Sequence, residues 1–349
     1  YIRQDLEERY TTRVAQAGLA VYTTINVEAQ KRAYEVVRAG LRAYDRSHTG
    51  WRSSYTMIPT ATNNGDGPAT QQELNNYKHP DWYGNDYETG RHLMGLIMKV
   101  DRGRNEATVR FGNFTATLTA ADMGWSKRQP KDEFKNGYLA EFEIKEVDEK
   151  NRRLTVELSQ VPAVQGAMMT LNAKTGEVVA MVGGYDFYTN KFNNATQAYR
   201  QTGSCFKPFI YTAAVEWGMT PDTPVSGAPI SIGDWQPHNY DGSLGNADLP
   251  LKTALAKSMN IPAVHLLQTV GIQTGAQMVR RFGVKVPMSP YLPSALGATE
   301  VPLDQMVSAY SAFPNKGIRV EPHLIQKVLD GDGATLEEWV RKTHKVMNE

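Results

Sequence analysis

The sequence predicts an α+β fold, in which helices pack on an antiparallel sheet and a small all-β domain is inserted. Three observations lead to this prediction. Short alternating apolar runs fill residues 90–160, a hairpin pattern spans residues 167–182, and helical patterns dominate after Arg200. Strands followed by a block of helices are typical of α+β domains, whereas regular alternation of the two would indicate a parallel sheet.

Composition limits the classes of function. The 349 residues are 41% hydrophobic and 21% charged, which is ordinary for a globular chain of about two domains. The 38 basic and 37 acidic residues give a net charge of +1, so nucleic acid is not expected as a partner. The seven histidines are scattered, and no helix-spaced pair predicts a metal site. Val182-Gly183-Gly184 is interpreted as a strand end, because no Gly-Lys-Ser or Gly-Lys-Thr follows, and no cofactor is expected.

Membrane attachment is expected only through an anchor outside these residues. The sequence contains no run of about 18 apolar residues, and its first residues lack the charged and then apolar order of a signal peptide. Because the chain starts at Tyr1 rather than at a methionine, we expect a fragment or a processed chain.

The first 60 residues are predicted to be a linker and the N-terminal part of the larger domain. Residues 19–25 form a strand-like run. Asn26 follows as a helix N-cap, and residues on one helical face then recur every three or four positions through Leu41. These residues thus predict one strand and one long helix.

Residues 61–160 are predicted to be the inserted β domain with its connections. Residues 59–87, including the Asn-, Gly- and Asp-rich run 63–67, have the composition of an extended connection. Alternating residues then mark strands at 96–100, 107–111, 139–147 and 154–158. Five or so short strands in roughly 65 residues predict a small barrel of the oligonucleotide/oligosaccharide-binding (OB) type, and the spacing is also compatible with a small sandwich.

Residues 161–349 are predicted to be the C-terminal part of the larger domain. Residues 167–171 and 178–182 form a hairpin pattern joined by the turn 172–176. Helices are predicted at 204–217, 250–257, 262–270 and 274–282. Glycines at positions 218 and 271 end the first and third of these helices.

The strongest chemical signal is Ser204-Cys205-Phe206-Lys207 at the start of a predicted helix. Positions i and i+3 share a helical face, so the Ser204 hydroxyl and the Lys207 amine can come within hydrogen-bonding reach. A serine needs a base to act as a nucleophile, and a desolvated lysine can be neutral often enough to serve. The helix N-terminus would stabilise an oxyanion near Ser204. The four-residue pattern alone also arises by chance, as a helix cap beside a solvated lysine.

The surroundings of this motif carry a family resemblance. Arg200-Gln201-Thr202-Gly203 leads into Ser204, and Pro208-Phe209-Ile210-Tyr211 follows Lys207. A second box, Ser258-Met259-Asn260, lies between two predicted helices. Here the sequence resembles the class A penicillin-binding proteins, which are bifunctional peptidoglycan synthases, and the handling of an acyl group by a serine and a lysine is a property of that family. The inserted barrel is similar to that of the Gram-negative 1A type.

The resemblance implies a serine D,D-transpeptidase that is the target of β-lactam antibiotics. Ser204 would accept the acyl group from a D-alanyl-D-alanine stem peptide, and Lys207 would be the base. Ser258 would relay protons, while Asn260 would orient the lysine and the substrate. The resemblance also implies a site at the periplasmic face of the bacterial inner membrane and an outer-membrane-linked activator protein as a partner of the barrel. None of the residues of the family's glycosyltransferase half is recognisable.

Other segments extend the resemblance over nearly the whole chain. Residues 235–242 look like the edge of the family's cleft, and residues 296–301 with Ala309-Tyr310 look like a segment that leads into a helix. Residues 23–25 and 44–46 resemble the junction between the family's linker and its transpeptidase domain.

One motif of the family is missing. No Lys-Thr-Gly or Lys-Ser-Gly triplet follows Asn260, and we expect that the chain stops before this third box. Lys174-Thr175-Gly176 has the right residues but precedes Ser204, so it is interpreted as a hairpin turn. Arg341-Lys342-Thr343-His344 is not the box either.

Alternative functions remain open at this stage. A D,D-carboxypeptidase would use the same residues with water as the acceptor. A non-catalytic module that binds peptidoglycan or a regulator would explain the missing third box. A thiol enzyme is disfavoured because Cys205 stands about 100° around the helix from Ser204, and Cys205 is predicted to be a buried small apolar residue.

Overall fold

A computed structural model describes residues 2–11, 14, 18–60, 69–83, 87–245 and 247–348. The chain divides into two units, one made of Tyr1–Val37 with Gly166–Glu349 and the other of Arg38–Gln165. The α-helices of the described residues are α1 (Ile2–Tyr10), α2 (Val27–His48), α3 (Gln71–Asn76), α4 (Pro130–Glu133), α5 (Lys207–Glu216), α6 (Leu251–Ala256), α7 (Asn260–Val270), α8 (Ile272–Arg281) and α9 (Leu303–Tyr310).

The strands are short, and most of them pair in antiparallel fashion. They are β1 (Ala20–Thr23), β2 (Tyr55–Met57), β3 (His92–Asp101), β4 (Glu106–Phe111), β5 (Phe114–Leu118), β6 (Tyr138–Asp148), β7 (Arg153–Ser159), β8 (Met168–Leu171), β9 (Val178–Val182), β10 (Arg200–Gln201), β11 (Pro224–Val225), β12 (Leu249–Pro250), β13 (Glu300–Val301), β14 (Ile318–Val320), β15 (Ile325–Leu329), β16 (Thr335–Glu338) and β17 (Thr343–Lys345).

The unit Arg38–Gln165 contains a closed five-stranded barrel. Strand β3 pairs with β4 and β6, β4 with β5, β5 with β7, and β7 with β6, which closes the ring. All these pairs are antiparallel except β5 with β7. The pairing decides in favour of the barrel over a sandwich. Phe111 and Phe142 are fully buried in its interior and meet edge to face at 5.7 Å.

Strand β3 departs from the simple alternation that its sequence suggests. A register shift between Ile97 and Lys99 marks a bulge in its pairing with β4. Leu96 and Met98 pack in a separate cluster with Ile58 and Leu74, whereas Val100 packs with Ile97 in the barrel core. A bulge exchanges the faces of a strand, so residues 96, 98 and 100 do not share one face as the spacing predicts.

The predicted extended connection at 59–87 is wrong in part, because it contains the helix α3. A capping box starts this helix: the Thr70 hydroxyl accepts from Glu73 N at 3.2 Å, and the Glu73 carboxylate accepts from Thr70 N at 2.7 Å. Leu74 anchors the helix and is 1% exposed. The run 63–67 lies outside the described residues.

Helix α2 begins as predicted and ends later than predicted. Asn26 Oδ1 accepts from Ala29 N at 2.9 Å, which confirms the N-cap. The helix continues past Leu41 because paired polar side chains replace the apolar stripe. The Arg42 guanidinium forms two hydrogen bonds with the Glu141 carboxylate, at 2.7 and 2.9 Å, and Asp45 accepts from Gln160 Nε2 at 2.9 Å.

The other unit combines antiparallel strands with a cluster of helices. Strands β1, β15 and β16 form one small sheet, and β8 and β9 form the predicted hairpin. Helix α5 is apolar on most of its surface because its neighbours enclose it. Phe209 on this helix is fully buried and lies 5.0 Å from the ring of Phe282 and 5.8 Å from that of Tyr310.

The predicted turn at Lys174-Thr175-Gly176 is confirmed. Asn172 Oδ1 accepts from Lys174 N at 3.0 Å and from Thr175 N at 3.3 Å, which is the geometry of an Asx turn. Gly176 has a φ of +85°, and a Cβ at this position would collide with the carbonyl oxygen of Glu321. These residues have a local structural role.

Candidate active site

Ser204 lies in a 3₁₀ turn, Gly203–Phe206, that leads directly into helix α5. Gly203 has a φ of +55°, which favours glycine, and Pro208 occupies the first turn of the helix, where no N–H is needed. Ser204 is exposed, whereas Phe206 is fully buried and Lys207 is 1% exposed. The turn therefore presents the serine to solvent and directs the lysine inward.

The same turn corrects the prediction for Cys205, which is exposed rather than buried. The prediction assumed an α-helix from Ser204 onward. In a 3₁₀ turn, with about 3 residues per turn, successive side chains are 120° apart, and Ser204 and Cys205 share the outer surface. The side chains of the next two residues, Phe206 and Lys207, are buried in the protein interior.

Residues later in the chain form hydrogen bonds with this turn and with the strand that precedes it. Strand β10 pairs with β13, and Gly203 N donates to the carbonyl oxygen of Gly297 at 3.2 Å. Gly297 has a φ of +78°, and a Cβ there would collide with the backbone of Gly203. The Tyr310 hydroxyl donates to the carbonyl oxygen of Cys205 at 2.7 Å. The segments 296–301 and 309–310 thus lie beside the turn that carries Ser204.

The second box begins at the C-terminus of helix α6. Ser258 N donates to the Leu255 carbonyl at 2.8 Å, and Met259 N donates to the Ala254 carbonyl at 3.0 Å. These two bonds form a Schellman motif, in which the residue at the position of Ser258 adopts the left-handed backbone conformation. Glycine usually occupies this position. Ser258 has a φ of +48°. A left-handed serine is strained, and strain of this kind is often found at functional sites.

The structure brings three of the four predicted site residues together around one amine. Lys207 Nζ donates to the Ser258 carbonyl oxygen at 2.6 Å, to Asn260 Oδ1 at 2.8 Å and to Ser258 Oγ at 3.2 Å. Among the residues that the structure describes, Ser204 Oγ has no hydrogen-bond partner. The direct bond between Ser204 and Lys207 that the i, i+3 spacing allows is therefore not formed here, because the amine turns toward the second box.

Burial sets the protonation of this lysine. Burial lowers the pKa of Lys207 from 10.5 to about 8, because the charged form loses its hydration. Within the described ranges, no carboxylate forms an ion pair with this amine, and its three partners are neutral oxygens. At pH 7 about one amine in ten is then neutral and carries a free lone pair.

Sequence reasoning missed Asn239, which is 8% exposed. Its Oδ1 accepts from the backbone N–H groups of Asn260 and Ile261, at 3.0 and 3.2 Å. The preceding carbonyl, of His238, accepts from Asn260 Nδ2 at 2.8 Å. The sequence predicts only that the segment 235–242 lies at the cleft edge. It does not show that an asparagine in this segment caps a helix that begins about 20 positions later.

Neither a metal site nor a membrane span is found in the parts of the chain that are described. No group of three or more His, Cys, Asp and Glu side chains there could hold a metal ion. No helix there is both long enough and apolar enough to cross a bilayer.

The chain is similar to known proteins of one family. The family model of the penicillin binding protein transpeptidase domain matches residues 166–349. Penicillin-binding protein 1A of Neisseria lactamica is 34% identical over 343 residues, which are 95% of this chain and 41% of the relative. Penicillin-binding protein 1A of Rickettsia felis is 31% identical over 341 residues, or 94% of this chain and 39% of the relative. The chain spans about two-fifths of the length of these curated relatives.

Two solved structures are also similar to this chain. The crystal structure of penicillin-binding protein 1A from Haemophilus influenzae has a TM-score of 0.80 at 30% identity and covers 98% of this chain and 49% of that chain. The PonA1 protein from Mycobacterium tuberculosis, solved in complex with penicillin V, has a TM-score of 0.54 at 19% identity and covers 97% of this chain and 63% of that chain. The second likeness concerns the fold alone.

Fold and family match together define the class of protein as a transpeptidase-type acyl-transferase. The chain belongs to the penicillin-binding protein transpeptidase family. The resemblance to penicillin-binding proteins of the 1A type is confirmed, and so is the α+β fold of the larger domain.

Proposed function

We propose that this chain carries the serine D,D-transpeptidase centre of a peptidoglycan synthase, with Ser204 as the nucleophile and Lys207 as the base. One observation carries the proposal: the Lys207 amine is buried, is surrounded by neutral oxygens and has a pKa of about 8. An ammonium held by a carboxylate could not accept a proton, whereas this amine can. The exposed Ser204 lies one helical turn away on the solvent side.

The acylation step begins when Ser204 Oγ attacks the carbonyl carbon of the penultimate D-alanine of a stem peptide. The hydroxyl proton passes to the Lys207 lone pair as the new C–O bond forms. The resulting oxyanion is stabilised by the backbone N–H group of Ser204. The C–N bond to the terminal D-alanine then breaks, and the departing amine receives the proton from Lys207 through Ser258 Oγ. The products are free D-alanine and an acyl ester on Ser204.

Deacylation repeats these steps with a different nucleophile. An amine of a neighbouring stem peptide attacks the ester carbon and gives up a proton to Lys207 through the Ser258 hydroxyl. The ester C–O bond breaks, Ser204 Oγ recovers a proton, and a new amide cross-link remains. Ser258 suits this relay because its side chain is exposed while its Oγ lies 3.2 Å from the lysine amine. Asn260, whose Oδ1 binds the amine, would orient both lysine and substrate.

The proposal extends to β-lactams because they are acylating agents that open at a strained C–N bond. PonA1, which shares the fold, was crystallised with penicillin V. Labelling of the full-length protein with a fluorescent penicillin tests the assignment. We expect a covalent label that survives denaturation and that Ser204→Ala abolishes. A label retained in folded Ser204→Ala, or no label on the wild type, would contradict it. Cys205→Ser is the matched control, and it should label normally.

We further infer that the barrel is of the OB type and that residues 61–160 act as a separate docking module between residues 1–60 and 161–349. The ring order β3, β4, β5, β7, β6 with one parallel pair supports this inference, as do the short helices between β5 and β6. The proposed partner is an outer-membrane-linked activator, which the enzyme would meet at the periplasmic face of the inner membrane. Deletion of residues 90–160 should leave penicillin acylation nearly intact and weaken stimulation by the activator. Equal loss of both would show that the module is only structural.

A further inference from the structure

The loop before helix α6 has a defined shape around Asn239. Asn239 N donates to the Ser243 carbonyl at 3.0 Å, and Gly242 N donates to the Asn239 carbonyl at 2.9 Å. Asn239 Nδ2 donates to Ser243 Oγ at 3.2 Å, and Gly242 takes a φ of +80°. The loop thus closes on itself and fixes the Asn239 side chain, which is buried although the neighbouring Tyr240 is fully exposed.

The Asn239 amide oxygen supplies a helix cap from outside the helix. The first N–H groups of a helix have no partner within it, and the N-cap side chain usually accepts one of them. The N-cap of α7 is Met259, which has no side-chain acceptor. Asn239 Oδ1 takes over this role for Asn260 N and Ile261 N, at 3.0 and 3.2 Å.

The same loop also holds the Asn260 side chain. The His238 carbonyl oxygen accepts from Asn260 Nδ2 at 2.8 Å. A carbonyl oxygen can only accept, so this bond decides which end of the amide faces the loop. Oδ1 is thereby turned toward Lys207 Nζ, at 2.8 Å. Asn260 is consequently fixed at its main chain by Asn239 and at its side chain by His238.

We propose that Asn239 is a positioning residue for transpeptidation, which acts through Asn260 to hold the Lys207 amine in place. The proposal rests on the proposed function, because it assigns Asn239 a role only if Lys207 is the base. Asn239 does not touch the amine itself. Its effect is to keep the Asn260 amide oxygen within hydrogen-bonding distance of Nζ, and small displacements of catalytic groups can cost up to about 100-fold in rate.

Two substitutions separate positioning from simple helix capping. Asn239→Ala removes both bonds to the helix. Asn239→Asp keeps an oxygen that can accept from Asn260 N and Ile261 N, and adds a negative charge near Lys207. A nearby carboxylate raises the pKa of a lysine. Leu244→Ala is the matched control, since it shortens an exposed side chain of the same loop and leaves the contacts of Asn239 intact.

The experiment measures the second-order rate of acylation by a fluorescent penicillin between pH 6 and 10 in the full-length protein, with thermal unfolding of each variant. The titratable residues beside Asn239 on its own loop are His238, Tyr240 and Asp241. Lys207 lies opposite, where it binds Asn260, and all four residues are present in every variant. We expect Asn239→Ala to lower the rate about tenfold at every pH, which corresponds to about 1.4 kcal/mol. We expect Asn239→Asp to keep the alkaline rate within about threefold while the midpoint of the pH profile moves up by at least about half a unit. Leu244→Ala should stay within about twofold of the wild type.

Other outcomes would overturn the proposal. A folded Asn239→Ala variant that melts earlier but acylates at the wild-type rate would show that Asn239 only caps the helix. If Asn239→Ala fails to fold, the alkaline rate of Asn239→Asp decides: a folded variant that keeps the acceptor and is still more than about threefold slower than the wild type would overturn the proposal. A wild-type protein that takes no penicillin label would instead refute the proposed function.

Discussion

Replacing Ser258 by glycine should make the protein more stable and less active. Ser258 has a φ of +48° at the Schellman position that ends helix α6. A left-handed conformation costs an L-residue about 1–2 kcal/mol, and glycine escapes this cost. Glycine also raises the entropy of the unfolded chain, at a cost of about 0.5–1 kcal/mol. The net gain therefore lies between about 0 and 1.5 kcal/mol, centred near ~0.75 kcal/mol. Each kcal/mol corresponds to roughly 2–4 °C in Tm for a domain of 150–250 residues.

The loss of activity has a separate cause. The hydroxyl that Ser258→Gly removes lies 3.2 Å from Lys207 Nζ and is the proposed proton relay. General acid–base catalysis contributes about 100- to 10,000-fold, so we expect a fall in acylation and cross-linking of at least about 100-fold. The bond from Nζ to the residue 258 carbonyl, at 2.6 Å, depends only on the backbone and should persist.

Ser258→Ala is the matched control, because it removes the same hydroxyl and keeps the left-handed strain. The assays are urea unfolding and the rate of acylation by a fluorescent penicillin. Both variants should lose rate to a similar extent, and only the glycine variant should gain stability. The reasoning is refuted if Ser258→Gly is no more stable than Ser258→Ala, or if either variant acylates at close to the wild-type rate.

Three further predictions follow from the same site. Lys207→Arg should abolish acylation while the protein still melts as a folded chain, because a guanidinium does not give up its proton; near wild-type acylation would assign the base elsewhere. Because the pKa of Lys207 is lowered to about 8, its neutral fraction increases with pH, and the wild-type acylation rate should rise through a midpoint near that value; a flat profile from pH 6 to 10 would be inconsistent with this lysine as the base. Gly297→Ala should destabilise the protein by about 2–5 kcal/mol and slow acylation, because alanine is strained at the left-handed φ of +78° and its Cβ would collide with the backbone of Gly203. Gly233→Ala, at a φ of +59° in open space, should show only the smaller conformational cost in the same unfolding assay.

Local patterns in the sequence were sufficient for much of the fold. The hairpin of β8 and β9 was predictable because its turn residues and its alternating strands lie within 15 residues, from Met168 to Val182. The cap at Asn26 and the helix end at Gly271 depend on single residues with strong local preferences. Strand β5, which contains three residues of threonine or alanine among five, carries too weak an apolar pattern to be predicted.

Features that depend on distant residues were not predictable. The continuation of α2 beyond Leu41 relies on Arg42 pairing with Glu141, almost 100 positions later, and polar residues at those sites suggest exposure rather than burial. The exposure of Cys205 follows from a 3₁₀ turn that is tied to Gly297. Neither contact leaves a periodic signal in the chain.

The candidate site also combines features that the sequence predicts with features that depend on distant residues. Its two sequence motifs are visible because they are short and contiguous. The sequence does not show what would let the lysine of the first motif be neutral often enough to accept a proton. That property requires three conditions at once: a buried amine, acceptors to hold it, and no carboxylate among them. Ser258, whose backbone is left-handed, supplies two acceptors. Asn260 supplies the third, with its amide fixed by His238 and its backbone by Asn239. Neutral oxygens hold the amine without restoring the charge that burial removes, whereas a carboxylate in the same place would raise the pKa again. In the proposed mechanism, the left-handed residue 258 and the cap from residue 239 would therefore serve one requirement, which is an amine held firmly and still able to accept a proton.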